Sequence, residues 1–321
     1  MRESAMRHYV YRTVKCLMIF LALAPFQANS PAQNRPKQPP SKPAGQVSPA
    51  IFAVSQSGAD SYLDPIVVVI GGRYTKPPSG MEDAAALSRF AGRYYKAGQT
   101  YSLFFGGGRS GKVTVREWLG KSGDCNRSMA GVSLNTTAKI EGKVMGLATN
   151  VDSLGRRESS RRMPTPAERA SVMKLAQRAY TQKGASGPQL QNLRTINMTA
   201  MDLDGDGGSE IVASFVLKRK GGKDARALFL IAEPRGADYR ESFARYNVIA
   251  DTDLPGGASL DDIEDYVLAE ILVDQLDLDR DGKGEIIAMD RGFEGVTYRI
   301  YKRQKGQWRR VYEFHSYKCA Y

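Results

Sequence analysis

Two short segments of this chain each gather four carboxylates at the same spacing. We call residues 202–210 loop 1 and residues 277–285 loop 2, and in both the acids stand at positions 1, 3, 5 and 9. Carboxylates folded around one point repel one another unless a cation joins them, and Ca²⁺ accepts about six to eight oxygen ligands at flexible angles. The spacing therefore predicts a calcium site in each loop. The acids are Asp202, Asp204, Asp206 and Glu210 in loop 1, and Asp277, Asp279, Asp281 and Glu285 in loop 2.

The residues around these acids exclude a calcium site of the EF-hand type. An EF-hand needs a bidentate Glu at position 12 of its loop and a helix on each side, but position 12 is Ala213 in loop 1 and Ala288 in loop 2. Gly207 and Gly282, at position 6, provide the backbone freedom that a sharp turn requires. Both loops run from their last acid into β-branched residues, so each is predicted to lead into a β-strand.

The loops belong to an internal repeat. Residues 199–213 parallel residues 273–288, and the likeness continues where residues 227–233 parallel residues 296–302. Each unit then reaches a turn and a further strand rich in aromatic residues. The order strand, acidic loop, strand, strand, turn, strand predicts an antiparallel β domain over residues 185–321.

Both loops resemble the Asp-x-Asp-x-Asp-Gly-x-x-acid calcium loops of FG-GAP (VCBS-like) repeats, which occur in integrin α-subunit β-propellers and in many exported bacterial proteins. The resemblance covers residues 195–321, and the whole chain resembles uncharacterised exported bacterial proteins with loops of this type. The usual ninth residue is Asp, whereas Glu stands there in this chain, and the Phe-Gly and Gly-Ala-Pro landmarks are missing. Two units cannot close a propeller, so we expect no complete one. The resemblance implies Ca²⁺ bound by Asp202, Asp204, Asp206, the Gly208 carbonyl and Glu210, and by Asp277, Asp279, Asp281, the Lys283 carbonyl and Glu285.

The first residues have the pattern of an export signal. A basic segment ending at Lys15 precedes an apolar run from Leu17 to Phe26, which is shorter than the roughly 20 residues of a membrane-spanning helix but typical of a signal peptide. We predict a signal peptide over residues 1–32 and a Pro-rich disordered linker over residues 33–58; a buried N-terminal strand or helix is the alternative. The protein would then be secreted, or periplasmic and associated with the cell envelope, with no stable membrane span after signal removal.

The middle of the chain predicts an α+β, mainly β fold. Residues 59–149 are expected to form a small α+β domain, in which Ser79 and Glu82 have the spacing of a helix capping box. The polar residues 150–164 are predicted to be a linker, and residues 165–184 a helix. That helix has Thr165 as its capping residue, with Pro166 at the first helical position and Glu168 completing a second capping box.

Removal of the signal peptide would leave two cysteines, Cys125 and Cys319. An oxidising compartment permits one disulfide between them. Two unpaired buried thiols are the alternative, and the sequence does not decide between them.

Motifs that imitate catalytic sites lack the residues that the chemistry needs. Residues 106–112 are similar to a phosphate-binding loop, but Val113 follows the lysine where Ser or Thr is required, and a glycine-rich β-hairpin is predicted instead. His315 would be the one histidine left after export, which is too few for a zinc site and leaves a single base for a nucleophilic triad. We therefore expect a protein that is not an enzyme.

Two further function classes stay open as alternatives. The acids of residues 261–265 keep a carboxylate-based extracellular hydrolase possible, although acids before a strand are more often a solvated turn. The net charge of +12 fits a basic surface module for an anionic polymer, but no nucleic-acid-binding motif accompanies it. Our first hypothesis is a calcium-binding, non-catalytic protein whose partner is a protein or polysaccharide that the sequence does not identify. The acids of the 261–265 cluster are Asp261, Asp262, Glu264 and Asp265.

Overall fold

The fold is mainly β, as the sequence predicts, and its described residues contain the two predicted α-helices and a third, short one. The computed structural model describes residues 47–121, 125–254, 259–265, 267–292 and 294–319, and the chain from Val47 onward forms one compact unit. The predicted signal peptide and residues 33–46 of the predicted linker lie outside the described residues. In the described part of the chain, no helix combines the length and apolar character that crossing a membrane requires.

The N-terminal part folds into an antiparallel sheet that closes on itself. The first strand along the chain pairs with both the second strand and the last of this sheet, and these pairings complete a ring. Six strands form the closed ring and a seventh, short strand extends it at one edge. The ring order is β1-β7-β4-β5-β6-β2, with β3 paired to β2. The strands are β1 Ala50–Ser57, β2 Asp60–Ile70, β3 Arg73–Thr75, β4 Thr100–Phe105, β5 Gly108–Trp118, β6 Ala130–Thr136 and β7 Gly146–Thr149.

Strand β1 lies in the segment that the sequence assigns to the disordered linker, so ordered structure begins earlier than predicted. Its first five residues are all buried, and alternate side chains enter two different clusters. Phe52 packs inside the closed sheet with Tyr101, whereas Ile51 joins a second cluster that includes Val273 of the C-terminal part. The short apolar run after a long polar stretch is typical of a strand that is buried on both faces.

The first helix, α1 (Ala84–Tyr94), covers the aromatic cluster at Phe52. The predicted capping box at Ser79 and Glu82 is wrong. The capping residue is Asp83, whose carboxylate accepts a hydrogen bond of 2.6 Å from the backbone N–H of Ala86. Asp is as good a helix cap as Ser, and residues 79–82 form a turn before the helix.

The second helix, α2 (Pro166–Gln182), begins as the sequence predicts. The Thr165 side chain and the Glu168 carboxylate form the reciprocal capping box, and a short helix α3 (Gly187–Leu190) follows. The buried face of α2 packs on repeat strands described next, and its Tyr180 hydroxyl donates to the backbone carbonyls of Phe215 and Arg226.

Each predicted repeat forms one four-stranded antiparallel sheet in which neighbouring strands follow one another in sequence. We call these sheets repeat 1 and repeat 2. In each, the acidic loop connects the first strand to the second. Repeat 1 contains β8 Leu193–Met201, β9 Glu210–Lys218, β10 Asp224–Arg235 and β11 Asp238–Ala250; repeat 2 contains β12 Ile271–Leu276, β13 Glu285–Arg291, β14 Gly295–Gln304 and β15 Gln307–Tyr317.

The two repeats pack against each other through apolar side chains. Phe229 of β10 stacks on Tyr301 of β14 with ring centroids 5.4 Å apart, and Met201 and Ile286 belong to the same cluster. This packing brings the ends of loop 1 and loop 2 to one side of the shared core, since Gly284 donates its backbone N–H to the carbonyl of Leu203 at 2.7 Å.

Two further sequence questions are answered by the fold. Cys125 and Cys319 form a disulfide that joins positions 194 residues apart. The glycine-rich residues 106–112 form the predicted hairpin between β4 and β5. Gly106 donates its backbone N–H to both carboxylate oxygens of Asp274 in β12, so this turn docks closely on the strand that leads into loop 2.

Candidate metal centre

Loop 1 folds back on itself around the carboxylate of Asp202. One oxygen of Asp202 accepts from the backbone N–H of Gly205 at 2.6 Å, and the other accepts from Gly207 at 3.2 Å. Gly207 has a φ of +86°, a left-handed conformation that favours glycine. The turn brings Asp202, Asp204 and Asp206 together, so that each offers a carboxylate oxygen within 4.8 Å of the others.

The ninth-position acid of loop 1 is bonded to the backbone at the beginning of the loop. Glu210 is only 3% exposed, and its Oε2 accepts from the backbone N–H of Leu203 at 2.9 Å. Burial raises the pKa of Glu210 to about 7, opposed by the Leu203 hydrogen bond and assisted by the charges of Asp204 and Asp206. A buried carboxylate with this environment is stabilised by protonation or by a nearby cation.

Loop 2 reproduces this geometry. Asp277 accepts from the backbone N–H of Asp281 at 3.1 Å and of Gly282 at 2.9 Å, and Gly282 has a φ of +85°. The group of carboxylates within 4.8 Å of one another is Asp277, Asp279 and Glu285. The close groups of carboxylates in the two loops therefore share the acids at positions 1 and 3. The third member is the acid at position 5 in loop 1 and the acid at position 9 in loop 2.

Glu285 closes loop 2 as Glu210 closes loop 1. It is 1% exposed, and its Oε2 accepts from the backbone N–H of Leu278 at 2.7 Å. Burial raises the pKa of Glu285 to about 7, with hydrogen bonds from Leu278 and Lys302 acting in the opposite direction and Asp279 adding to the increase. In both loops the Glu is thus held by the backbone through one oxygen.

The seventh-position residues that the family resemblance implies as carbonyl ligands, Gly208 and Lys283, lie in the same turn of each loop. The backbone N–H of Gly208 donates to Asp206 at 2.7 Å, and that of Lys283 donates to Asp281 at 3.0 Å. These hydrogen bonds fix the backbone at position 7 relative to the acid at position 5.

A lysine from the third strand of repeat 2 lies among the acids of loop 2. The ammonium of Lys302 contacts Asp279, Asp281 at 2.9 Å and Glu285 at 3.1 Å. Burial lowers the pKa of Lys302, but its hydrogen bonds to these three carboxylates outweigh that effect and raise the pKa above its usual value. Loop 2 therefore contains a positive charge of its own.

The cations at loop 1 are arginines that contact its edge. Arg303 donates to Asp204 Oδ2 at 3.0 Å and lies 3.1 Å from Glu233 Oε1, and Arg156 lies 3.9 Å from Asp202. Within the described ranges of the chain, the ion pairs of loop 1 involve Asp202 and Asp204 and do not include the acids at its fifth and ninth positions.

Sequence reasoning missed the residues that tie the loops to their surroundings. Arg156, assigned to a linker, donates to the carbonyls of Asp202 at 2.7 Å, Leu203 at 2.9 Å and Gly282 at 3.3 Å, so one guanidinium joins both loops. The cluster of four arginines over residues 156–162 was the available indication, but charge alone could not tell which of them reaches the loops. Arg156 contacts Asp202, whereas Arg161 pairs with Asp274 and Arg162 with Glu168.

The donor set fits a hard cation. Each three-member group supplies oxygen alone, the ligand type that Ca²⁺ and Mg²⁺ prefer, and supplies no sulfur or imidazole of the kind that zinc prefers. In loop 1, Asp204 Oδ1 is buried without a hydrogen-bond partner. A buried acceptor without a donor is destabilising, and a bound cation would satisfy it.

The other acidic cluster has a different setting. Asp261, Asp262, Glu264 and Asp265 line a surface cavity of about 490 Å³ together with Arg194 and Lys218. Asp265 pairs with Arg194 and with Lys218, each at 3.1 Å, and Asp261 accepts from the backbone N–H of Gly221 at 2.9 Å. Two of the acids are thus held by ion pairs or by backbone.

His315, the other residue weighed for catalysis, lies in β15. Its side chain is exposed and its Nδ1 is 3.2 Å from the hydroxyl of Thr297 on the neighbouring strand. That is a cross-strand contact between side chains on a sheet surface.

No protein-family model matches this chain, and neither a curated protein nor a solved structure matches it. What the protein does has to be inferred from its own residues and their geometry.

Proposed function

We propose that this is an exported, non-catalytic, calcium-binding protein in which Ca²⁺ at loop 1 and loop 2 orders the two C-terminal repeats. The observation that carries the proposal is the convergence in each loop of three carboxylates to within 4.8 Å of one another. Such groups repel at neutral pH unless a cation reduces their charge. The partner of the ordered domain would be a protein or polysaccharide outside or at the surface of the cell.

Calcium is the cation that the geometry favours. Magnesium demands near-ideal octahedral geometry and retains several waters, whereas calcium tolerates irregular sets of carboxylate and carbonyl oxygens. Each loop combines side chains at positions 1, 3 and 5 with a carbonyl at position 7 and a long acid at position 9. An affinity on the order of 10⁻⁴–10⁻³ M, as in extracellular modules, would suffice in a calcium-rich compartment.

Two observations, the N-terminal sequence pattern and a disulfide, support export. The basic and apolar pattern before residue 27 is that of a signal peptide. The disulfide between Cys125 and Cys319 belongs to an oxidising compartment, since such bonds are rare where thiols are kept reduced. These observations have a common explanation in a secreted, periplasmic or envelope-associated protein.

The role of calcium would be structural. Both loops connect the first and second strands of a repeat, and both close through a buried Glu that bonds the loop backbone. A cation in the loop would hold that strand pair and remove the repulsion among its acids. Because calcium would bind the folded chain and not the unfolded one, it raises the free energy of unfolding by mass action.

The test is the melting temperature of the mature protein in calcium and in a calcium chelator. We expect chelation to lower the melting temperature of the wild-type protein by several degrees. The double variant Asp204→Ala plus Asp279→Ala should lose that response, whereas the control Asp261→Ala plus Asp262→Ala, which removes the same charge outside the loops, should keep it. A wild-type melting temperature that is indifferent to calcium and to chelator would contradict the proposal.

A further inference from the structure

We propose that loop 2 carries its own cation, the ammonium of Lys302, and that the two loops are therefore unequal: loop 1 takes Ca²⁺ first, and loop 2 takes it only when Lys302 is displaced. This inference rests on the proposed calcium function and adds to it which loop responds to calcium and which residue decides. It predicts a two-step calcium response in one domain.

The deciding position is the same in both repeats. In the sequence repeat, residues 227–233 parallel residues 296–302, so that Glu233 of repeat 1 corresponds to Lys302 of repeat 2. In each repeat, the third strand pairs with the second strand up to the residue just before this position. One step further along the same register, the position therefore lies beside the ninth-position Glu of its loop. The pairs that fix this register are Ala232 with Ile211 and Tyr301 with Ile286.

At loop 2 this position supplies a positive charge. The Lys302 ammonium contacts three of the four loop acids, and its side chain is only 16% exposed. Three carboxylates around one ammonium satisfy all three of its donors. A divalent cation bound by Asp279 and Glu285 would need the same oxygens, so it has to displace the ammonium and overcome its interactions with the loop.

At loop 1 the corresponding position supplies a negative charge. Glu233 is 4% exposed and is held by Arg240 at 2.8 Å and Arg303 at 3.1 Å. The guanidinium of Arg303 reaches only Asp204 among the loop acids, and one oxygen of that carboxylate keeps no partner. Glu233 is thus compensated by two arginines. Within the described part of the chain, the cations of loop 1 leave its fifth- and ninth-position acids without an ion pair, whereas the single ammonium of loop 2 lies among three of its acids.

Lys302 at this position sets the order of binding. A cation approaching loop 2 meets an ammonium that already contacts three of the loop acids at hydrogen-bonding distance, whereas a cation approaching loop 1 meets no such charge from the described residues at the fifth- and ninth-position acids. At this separation, the interaction of two unit charges is large enough even near a protein surface to change an affinity by at least about tenfold. We expect the calcium affinities of the two loops in the wild-type protein to differ by that factor or more.

The experiment is a calorimetric titration of the metal-free mature protein with CaCl₂. Wild type should give one tighter site and one that is at least about tenfold weaker. Lys302→Met, which keeps an unbranched side chain of nearly the same length and removes its charge, should tighten the weaker site by at least about tenfold and leave the tighter one unchanged. Glu233→Lys should weaken the tighter site, and the control Lys305→Met, a charge loss at an exposed turn of the same repeat, should change neither.

A second pair of variants assigns the sites without altering Lys302. Asp204→Asn should remove the tighter site, and Asp279→Asn should leave it intact, so that the inference stays testable if Lys302→Met does not fold. Two sites of equal affinity in wild type, or loss of the tighter site in Asp279→Asn, would overturn the inference while supporting calcium binding. Absence of calcium binding to the wild type and to all variants at millimolar CaCl₂ would overturn the proposed function itself, and the inference with it.

Discussion

Loop 1 and loop 2 are built from the same motif and differ in the charge that the next strands bring to them. Both have acids at positions 1, 3, 5 and 9, a left-handed glycine at position 6 and a buried Glu bonded to the loop backbone. Repeat 2 then brings Lys302 into its own loop, whereas repeat 1 has Glu233 at that position. The shared acidic-loop motif therefore fixes the shape of each loop, and the charges in contact with its acids are decided by strands outside the motif.

The comparison also separates two ways in which a cluster of acids can be stabilised. In loop 2, an internal cation contacts the acids directly. In loop 1, Arg156 and Arg303 contact the edge of the cluster. Over the ranges that the structure describes, they pair with the acids at positions 1 and 3 and leave those at positions 5 and 9 without an ion pair. Under the proposed calcium function, the first arrangement competes with Ca²⁺ and the second leaves acids available to it.

The largest expected effect comes from the disulfide, which provides a reference that does not depend on either loop. The double variant Cys125→Ser plus Cys319→Ser should lose about 2–5 kcal/mol of unfolding free energy, because the bond constrains a long stretch of the unfolded chain. Urea denaturation should give the same loss in calcium and in chelator. A loss confined to one of the two conditions would mean that the disulfide and the loops are coupled.

The next effect distinguishes the loops directly. Loop 2, with an affinity at least about tenfold lower, should contribute at most about 1.4 kcal/mol when the calcium concentration is about 100 times the dissociation constant of loop 1. At that concentration, binding at loop 1 should stabilise the wild type by about 2.7 kcal/mol. Asp204→Asn should lose most of this gain, because it removes the negative charge of a ligand and replaces one of its two oxygens with an amide nitrogen, which cannot bind Ca²⁺. Asp279→Asn should keep most of it. Denaturation curves with and without calcium measure both gains, and equal losses would break the proposed difference.

A smaller effect is expected from the arginine that joins the repeats. Arg303→Met removes the guanidinium between Asp204 and Glu233, and we expect a loss of about 2 kcal/mol in chelator, because Asp204 loses its cation and the buried Glu233 keeps only one of its two arginines, Arg240. Calcium should recover part of the loss by binding beside Asp204. The matched variant Arg309→Met, on an exposed part of β15, should cost less than about 0.5 kcal/mol. Equal costs for the two variants would show that loop 1 does not depend on Arg303.

The smallest effect is expected at Glu168 in helix α2. This carboxylate pairs with a cation of its own, Arg162, as the acids of loop 2 pair with Lys302. Hydrogen bonds from Arg162 hold the pKa of Glu168 down at about 2, against burial, with further help from the Thr165 backbone and Tyr239. Since this pKa lies below the value of about 4.3 in an unfolded chain, the interaction stabilises the fold above pH 4.3. That stabilisation is lost as the pH falls towards 2.

Glu168→Gln should therefore cost about 1 kcal/mol at pH 7, with a difference from wild type that shrinks below pH 4.3. Urea denaturation between pH 7 and pH 3 measures it, and the result should be the same in calcium and in chelator. A difference that stays constant down to pH 3 would assign the effect of Glu168 to packing and not to its charge.

Local features of this protein were predictable from its residues, and features that depend on two distant segments were not. The helix at Pro166 and its cap follow from three side chains within one turn, and the two loops follow from nine residues each. The cap of α1 was wrongly assigned to Ser79, which lies in the turn before the helix, because Ser and Asp are equally good caps and both precede the helix; the capping residue is Asp83. Strand β1 was missed because its burial depends on β2 and β7, which follow it in the chain.

The sequence by itself determined the acidic loops, their repeat, the strands that flank them and the presence of two cysteines in the described chain. These features depend on residue type and short spacing, which the chain carries whatever its tertiary contacts. Only the tertiary structure decided that the cysteines pair, that Arg156 from a presumed linker joins both loops, and that Lys302 enters one loop while Glu233 stands at the other. The physical reason is that charges interact through space, so the state of a carboxylate depends on whichever segment folding brings to it.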